Sequence, residues 1–285
     1  MTTEHLIRIE DVYKAYSGKT ILRNIDLAIR AGEFCSVVGP SGCGKSTLLR
    51  LILGEEIPDE GRVLLNGQPV GLPDPRRGVV YQKYSLFPHM TVLENVMCGP
   101  SYLGLNGNTK ASASSIKDEA MYYLERVRLD KAANKFPHEL SGGMQQRAAI
   151  AQTLIVHPEV LLMDEPFGAL DPDTREDLQL FLLELWEELS LTILFVTHSL
   201  EEAFYVGTRL LALSQYYDSG DEDHSHGATI VEDHALPTVA QPTNIKTNTR
   251  FQELIAGVRD RAFDPSVAQR TQAFNLTHKD SYRTE

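Results

Sequence analysis

The feature that most constrains this chain is the octapeptide Gly39-Pro40-Ser41-Gly42-Cys43-Gly44-Lys45-Ser46. An apolar run, Phe34-Cys35-Ser36-Val37-Val38, precedes it, and a helical pattern from Thr47 to Leu53 follows. A Gly-x-x-x-x-Gly-Lys-Ser loop between a strand and a helix is the setting a phosphate-binding loop requires. Its glycines let consecutive backbone N–H groups turn inward, and the helix N-terminus adds partial positive charge at the same point. Lys45 is then placed to reach β- and γ-phosphates, and the Ser46 hydroxyl to sit on Mg²⁺. The bland alternative is a glycine-rich turn with no ligand, so the rest of the chain has to decide.

Four other stretches bear on that decision. Val160-Leu161-Leu162-Met163 is an unbroken apolar run, as in a strand buried on both faces of a parallel sheet, and it ends in Asp164-Glu165. Open α/β sheets bind ligands at such strand ends. Asp164 suits Mg²⁺ and Glu165 suits orienting and deprotonating a water; the plainer reading is an acidic loop. Val79-Val80-Tyr81 ends on Gln82, either a solvated amide or an Mg²⁺ ligand on a movable loop. Leu140-Ser141-Gly142-Gly143 opens a helix, with Ser141 as N-cap and two glycines baring the first-turn N–H groups: a second anion site, or merely a capped start. Thr192 to Val196 is a buried-type strand leading to Thr197-His198-Ser199, where a histidine could touch a γ-phosphate or be structural.

The remaining chain is read more coarsely. Leu6 to Ile9 and Ile25 to Ile29 alternate as half-buried strands, with a turn over Tyr13 to Lys19 carrying two aromatics. Gly54 is a helix stop, and Arg62 to Gly67 a strand running into an Asn-Gly turn. From Pro88 to Pro137 the character changes to that of a small helical insertion: Gly104, Asn106, Gly107, Asn108 and Ser112 to Ser115 form a soft polar connection, and Ile116 to Leu129 then shows helical spacing with Ser114 or Ser115 as N-cap. Pro172 to Leu189 is an amphipathic helix, Leu200 to Val206 a short one, and Arg209 to Leu213 a last parallel-type strand. Thr229 to Val231 reads as an edge strand and Asp218 to His226 as an exposed loop. Arg250 to Arg261 is helical through Phe251, Leu254, Ile255 and Val258, and Asp264 to Glu285 is polar and extended.

A net charge of −12 argues against a chain whose main task is gripping nucleic acid. No apolar run approaches the roughly 20 residues that span a bilayer, and Met1 to His5 shows no signal-peptide pattern. Cys35, Cys43 and Cys98 offer neither paired spacing nor zinc spacing, which fits reduced thiols in a cytosolic protein.

Taken in order, these motifs resemble the ATP-binding cassette family, the nucleotide-binding subunits of ABC transporters, from about Leu6 to Leu213. Gly39 to Ser46 matches Walker A, Gln82 the Q-loop, Leu140 to Gln145 the signature (with Met144 in place of the commoner Gln), and Val160 to Glu165 Walker B. Ala169-Leu170-Asp171 matches the D-loop, His198 the switch histidine, and Tyr16 the adenine-stacking aromatic. The resemblance implies an α/β fold: a RecA-like P-loop NTPase cassette with an N-terminal antiparallel β subdomain and a helical signature subdomain. The cassette is expected over residues 1–235, its helical part at about 88–156, and a partly helical tail over 236–285.

It also implies ATP and Mg²⁺. Tyr16, Gly39, Pro40, Ser41, Gly42, Cys43, Gly44, Lys45, Ser46 and Thr47 would hold the nucleotide, with Ser141, Gly142, Gly143 and Asp171 completing the site across a dimer. Ser46, Gln82 and Asp164 would ligate the metal, and Glu165, His198, Gln82 and Lys45 would serve catalysis. Implied partners are a second cassette, identical or different, paired head to tail, two transmembrane permease subunits and, indirectly, a periplasmic or lipoprotein solute-binding protein. Ser85, Leu86 and Phe87 would lie near the groove for a permease coupling helix. The place of action would be the cytoplasmic face of the inner membrane. Motif details most resemble bacterial importers of nitrate, sulfonate, taurine or bicarbonate. The other members weighed are exporter or lipid-transport cassettes and soluble ABC switches in DNA repair or translation, which carry long coiled coils or fused cassettes absent here.

Overall fold

The computed structural model describes residues 5–83, 85–105, 113–218, 227–236, 249–267 and 269–281. The chain forms two compact units, Met1–Pro73 with Leu189–Glu285, and Asp74–Glu188. In the first, β1 (Ile7–Tyr16) and β2 (Lys19–Ile29) pair antiparallel, so Tyr13 lies within a strand and the turn shrinks to Ser17-Gly18. Both residues of that turn have positive φ, as a tight two-residue hairpin requires. β3 (Phe34–Val38) is buried throughout and runs into the glycine loop, after which α1 (Lys45–Leu53) starts. Gly54 closes α1 in the left-handed conformation, its N–H donating to the carbonyls of Arg50 and Leu51. β4 (Glu60–Leu65) then pairs with β1 and turns through Asn66-Gly67 into β5 (Gln68–Pro69), completing an antiparallel sheet ordered β2-β1-β4-β5.

The second unit begins with β6 (Arg77–Tyr81). α2 (Val92–Leu105) follows, inside the expected helical part though the sequence does not mark its bounds, then α3 (Ala113–Arg126). Since α3 starts at Ala113, Ser114 and Ser115 lie in its first turn and are not its N-cap. Its inward stripe is as expected: Ile116, Ala120, Tyr123 and Leu124 are buried. α4 (Gly142–Leu154), β7 (Val160–Asp164) and α5 (Pro172–Leu189) complete the unit, and β6 pairs with β7 in parallel.

The chain re-enters the first unit with β8 (Ile193–Val196), α6 (Leu200–Val206) and β9 (Arg209–Ser214). β3 lies between β8 and β9, parallel to both. β10 (Tyr217–Asp218) and β11 (Thr229–Ala235) follow, and most of the acidic, histidine-rich stretch after Asp218 falls outside the described residues. β11 is no edge strand: it pairs antiparallel with β9 on one side and parallel with the tail on the other. α7 (Thr249–Ala262) buries Phe251, Ile255, Val258 and Ala262 against Val38, Leu200, Ala203 and Phe204, while Leu254 is exposed. Burying a side chain of this size contributes roughly 1.5–3 kcal/mol, and Val38 is the residue just before the glycine loop. β12 (Gln269–Arg270) pairs with β10, and β13 (Asn275–Leu276) with β11.

Two consecutive buried carboxylates on β11 hold this tail. Glu232 accepts from Arg261, at the end of α7, and from Asn275 Nδ2 at 2.9 Å. Asp233 takes a bidentate pair from Arg209 at 2.8 Å, and its carboxylate also accepts the Ser281 hydroxyl at 2.5 Å. Burial is the largest single influence and works against the Arg209 charge, but the Asp233 bonds together with the nearby Asp233, Glu33 and Cys35 charges raise the Arg209 pKa. Beyond β13, Asp280 receives Arg30 Nε at 2.7 Å and Nη2 at 2.6 Å, with His5 at 3.0 Å.

The Arg30 bonds hold Asp280 well below the usual carboxylate range, more than offsetting its burial. A carboxylate with a depressed folded-state pKa stabilises fully above its unfolded value, about 3.9 for Asp, and loses that contribution as pH falls through the folded value. Asp280→Asn is therefore expected to lower stability by about 1–3 kcal/mol at pH 7. The gap from wild type should hold down to about pH 4 and close below it. Urea midpoints of both proteins at pH 7, 5 and 3 check this; equal midpoints at pH 7 contradict it.

Candidate nucleotide site

The first unit builds a cradle at the end of β3. Its tightest point is Gly39, where a Cβ would lie 2.4 Å from the Leu213 carbonyl oxygen on β9 and 2.7 Å from Cys43 Sγ. Gly44 has φ +102°, and a Cβ there would meet Leu22 at 2.7 Å and Ile21 at 2.9 Å. No larger residue fits either position with the loop in this shape. Gly44 is also the N-cap of α1, with no side chain to take up the first-turn N–H groups, which suits them to an anion. Lys45 is buried, and its ammonium folds over the loop to donate to the Gly39 carbonyl at 2.8 Å and the Pro40 carbonyl at 3.2 Å. A buried ammonium bonded, among the described residues, to two backbone carbonyls is a natural counter-charge for phosphate. Pro40 and Ser41 cross the rim, Ser46 follows Lys45 into the helix, and Thr47 is buried one residue on.

Tyr16 stands at the end of β1, 39% exposed, with its hydroxyl donating to Glu56. Burial and the Glu56 bond raise its pKa, and Lys14 Nζ lies 5.5 Å from the ring centroid. Cys43 is turned inward and buried; that burial raises its thiol pKa against the pull of Lys45.

His198 belongs to the same unit and the same end of the sheet. β8 pairs with β3 through Val37 and Val196, and Thr197 N–H donates to the Val37 carbonyl at 3.1 Å. The strand leading to His198 and the strand leading to Gly39 are therefore parallel neighbours. His198 is exposed, and Ser199 caps α6.

The second unit gathers the other residues around the ends of β6 and β7. Tyr81 pairs with Asp164, so Gln82 and Glu165 leave neighbouring strands at one end. Glu165 sits at φ +47°, and Gly168 N–H donates to its carbonyl at 3.1 Å, closing a tight turn. A Cβ at Gly168 would be 2.8 Å from Gln82 Nε2, so the Gln82 amide lies on this turn. Gln82 and Asp164 supply oxygen donors of the kind a hard divalent cation takes. Asp171 caps α5, its carboxylate accepting Thr174 N–H at 3.0 Å, a bond that lowers its pKa. Ser141 caps α4 through Met144 N–H at 3.4 Å, and a Cβ at Gly143 would meet Thr174 at 2.6 Å, so Gly143 lets α4 close on α5.

Two contributors escaped the sequence reading. Asn95 is fully buried; its amide donates to the carbonyls of Phe87, Met90 and Thr91, and its oxygen accepts Phe87 N–H at 2.7 Å. It thereby shapes the loop holding Leu86 and Phe87. Glu202, buried on α6, accepts the Thr197 hydroxyl beside His198. Neither position carries a local motif naming its partner.

A glycine-walled anion cradle at the end of a parallel strand, capped by a folded-over lysine, defines a P-loop nucleotide-binding fold. The family model described as ABC transporter matches residues 22–168. The chain belongs to the ABC transporter family. It is 47% identical to a nitrate import ATP-binding protein of Synechocystis, over 73% of this chain and 77% of that protein. It is 38% identical to an aliphatic sulfonates import ATP-binding protein of Bacillus thuringiensis, over 87% and 92%. Against a spermidine/putrescine import ATP-binding protein of Nitrosospira multiformis the identity is 43% over 74% of this chain, a match spanning only 57% of that relative's length. Among solved structures, cbiO1 of Clostridium perfringens superposes with TM-score 0.71 at 25% identity, covering 91% of this chain and 96% of that one. The cassette MJ0796, in a dimeric post-hydrolysis state bound to ADP and Pi, gives 0.65 at 31% identity, covering 82% and 100%.

With Cys43 and Cys35 buried and Cys98 only half-buried, iodoacetamide at neutral pH is expected to modify Cys98 first and to leave Cys43 and Cys35 largely intact until unfolding. Peptide mass mapping over time checks this; rapid Cys43 alkylation would mean the cradle opens on its own.

Proposed function

We propose that this chain hydrolyses ATP to drive a membrane importer, with a small anion such as nitrate or an organic sulfonate as the solute. The observation that carries the reading is the buried Lys45 ammonium inside the glycine cradle. Loop N–H groups and Lys45 bind the phosphates, and the exposed Tyr16 ring takes the base. Ser46, Gln82 and Asp164 would hold Mg²⁺, which when bound would offset the negative charge of the phosphates. Glu165 orients a water and takes its proton as it attacks the terminal phosphorus; His198 donates to the departing phosphoryl oxygens.

The Ser141 helix start, with Gly142 and Gly143, and Asp171 face the nucleotide of a second cassette, so each active site needs two copies. Permease subunits supply the membrane path, since no helix among the described residues is long and apolar enough to cross. The chain would then work from the cytoplasmic face of the membrane, with a solute-binding protein delivering cargo. The anion assignment is favoured over polyamines because the nitrate and sulfonate relatives are matched over more of their own length.

Glu165→Gln is expected to retain ATP binding, accumulate an ATP-bound dimer and lose turnover by about a hundredfold or more. Radiolabelled ATP hydrolysis and size-exclusion chromatography check it, and normal turnover would remove Glu165 as the base. Specific activity should also fall on dilution and in Ser141→Ala; a rate indifferent to both would exclude a shared site. Co-expression with the neighbouring permease genes, and the solute retained by the binding protein, test the importer reading.

A further inference from the structure

We propose that Glu202 is a positioning residue for His198, acting through the Thr197 hydroxyl; the inference rests on the role given to His198 above. Ser199 N–H, the group just after His198, donates to Thr197 Oγ1 at 3.1 Å. That hydroxyl in turn donates to Glu202 Oε2 at 2.6 Å, and Glu202 N–H returns to Ser199 Oγ at 3.2 Å. The ring of bonds closes around the backbone that presents His198. Its other anchor is Thr197 N–H on the Val37 carbonyl, two residues before Gly39. His198 is thus an exposed side chain on a backbone locked to the strand that carries the phosphate loop.

The same molecule supplies the comparison that separates this arrangement from ordinary helix capping. At the start of α2, Glu94 accepts Thr91 N–H at 2.7 Å and the hydroxyl of the same Thr91 at 2.8 Å, and Thr91 Oγ1 accepts Glu94 N–H, so the exposed acid bonds only its own cap residue in the reciprocal box of a helix start. Glu139 accepts Phe136 N–H at 2.7 Å in the same manner. Both glutamates are exposed. Glu202 occupies the equivalent place on α6, three residues after the Ser199 cap, but is buried at 8% exposure and its carboxylate is directed to Thr197. Thr197, at 1% exposure, takes over the cap N–H. Burying a carboxylate is costly unless strong bonds compensate, and a 2.6 Å hydroxyl–carboxylate bond is in the strong, charge-assisted range. Capping alone needs no buried acid, as Glu94 and Glu139 show. What the buried acid adds is a fixed Thr197 rotamer, and with it a fixed peptide after His198.

The test is steady-state ATP hydrolysis with Mg²⁺ by the full chain and its variants Glu202→Ala, Glu202→Gln, Thr197→Val, His198→Ala and the double variant His198→Ala/Glu202→Ala. Glu202→Ala and Thr197→Val are expected to lower kcat by about tenfold with KM for ATP changed less than about twofold. Glu202→Gln, which keeps an oxygen acceptor for the Thr197 hydroxyl, should recover to within about threefold of wild type. In the His198→Ala background the Glu202→Ala effect should vanish, because a residue acting through another is silent once that other is gone. Equal losses in both backgrounds, or wild-type kcat in Thr197→Val, would overturn the inference. If Glu202→Ala fails to fold, the nearly isosteric Thr197→Val decides alone. Full activity in His198→Ala would instead overturn the role of His198, and the inference with it.

Discussion

The close approach of Gly39 to the Leu213 carbonyl is the contact on which the rest of the site depends. It requires β3 and β9 to be parallel neighbours and the residue at the turn to lack a side chain. Once the chain turns there, the next bonds follow from geometry. Lys45 lands over the Gly39 carbonyl, Gly44 is pressed against Leu22 and Ile21, and α1 begins with its N–H groups aimed back at the loop. β3 can hold this position because it is buried on both sides and because Val38, at its end, is packed by α6 and α7. Packing that starts more than 200 residues away in sequence thus steadies the residue before the cradle.

Where local chemistry dictated structure, the sequence was a good guide. The unbroken apolar runs Phe34–Val38 and Val160–Asp164 became buried parallel strands, and α5 and α6 have the limits their spacing implied. The candidate residues fall at strand ends and helix starts for the same reason: these are the places where backbone groups lack partners. The limits of α2, within the expected helical part, were not legible because Gly99, Pro100 and Gly104 blur its periodicity. Its start is set by the Thr91–Glu94 box and by Asn95, whose bonds reach back into the preceding loop. The tail was hidden for a different reason. Strands of two residues have no period to read, and what holds them are arginine–carboxylate pairs between positions far apart in sequence. The Thr197–Glu202 bond was equally invisible, since a glutamate three residues after a serine reads as a surface cap.

Charge is used in two distinct ways in the first unit. In the cradle, Lys45 bonds to no carboxylate among the described residues and leans on carbonyls, an arrangement that becomes favourable when phosphate arrives. At the tail, Arg209, Arg261 and Arg30 are each matched to a carboxylate, and burial makes those pairs depend on one another's presence. The first arrangement awaits a ligand and the second completes itself.

Glu232 and Asp233 are consecutive, so the alternation of a strand sends them to opposite faces, one toward Arg261 and the other toward Arg209. Parity along β11 therefore carries information that composition does not. A one-residue slip of Glu232 and Asp233 against β9 would exchange the two acids between faces and take from Arg261 and Arg209 their partners on β11 at once. The register shift between Ile230 and Glu232 is the place in β11 where a one-residue change in length can be taken up without that exchange.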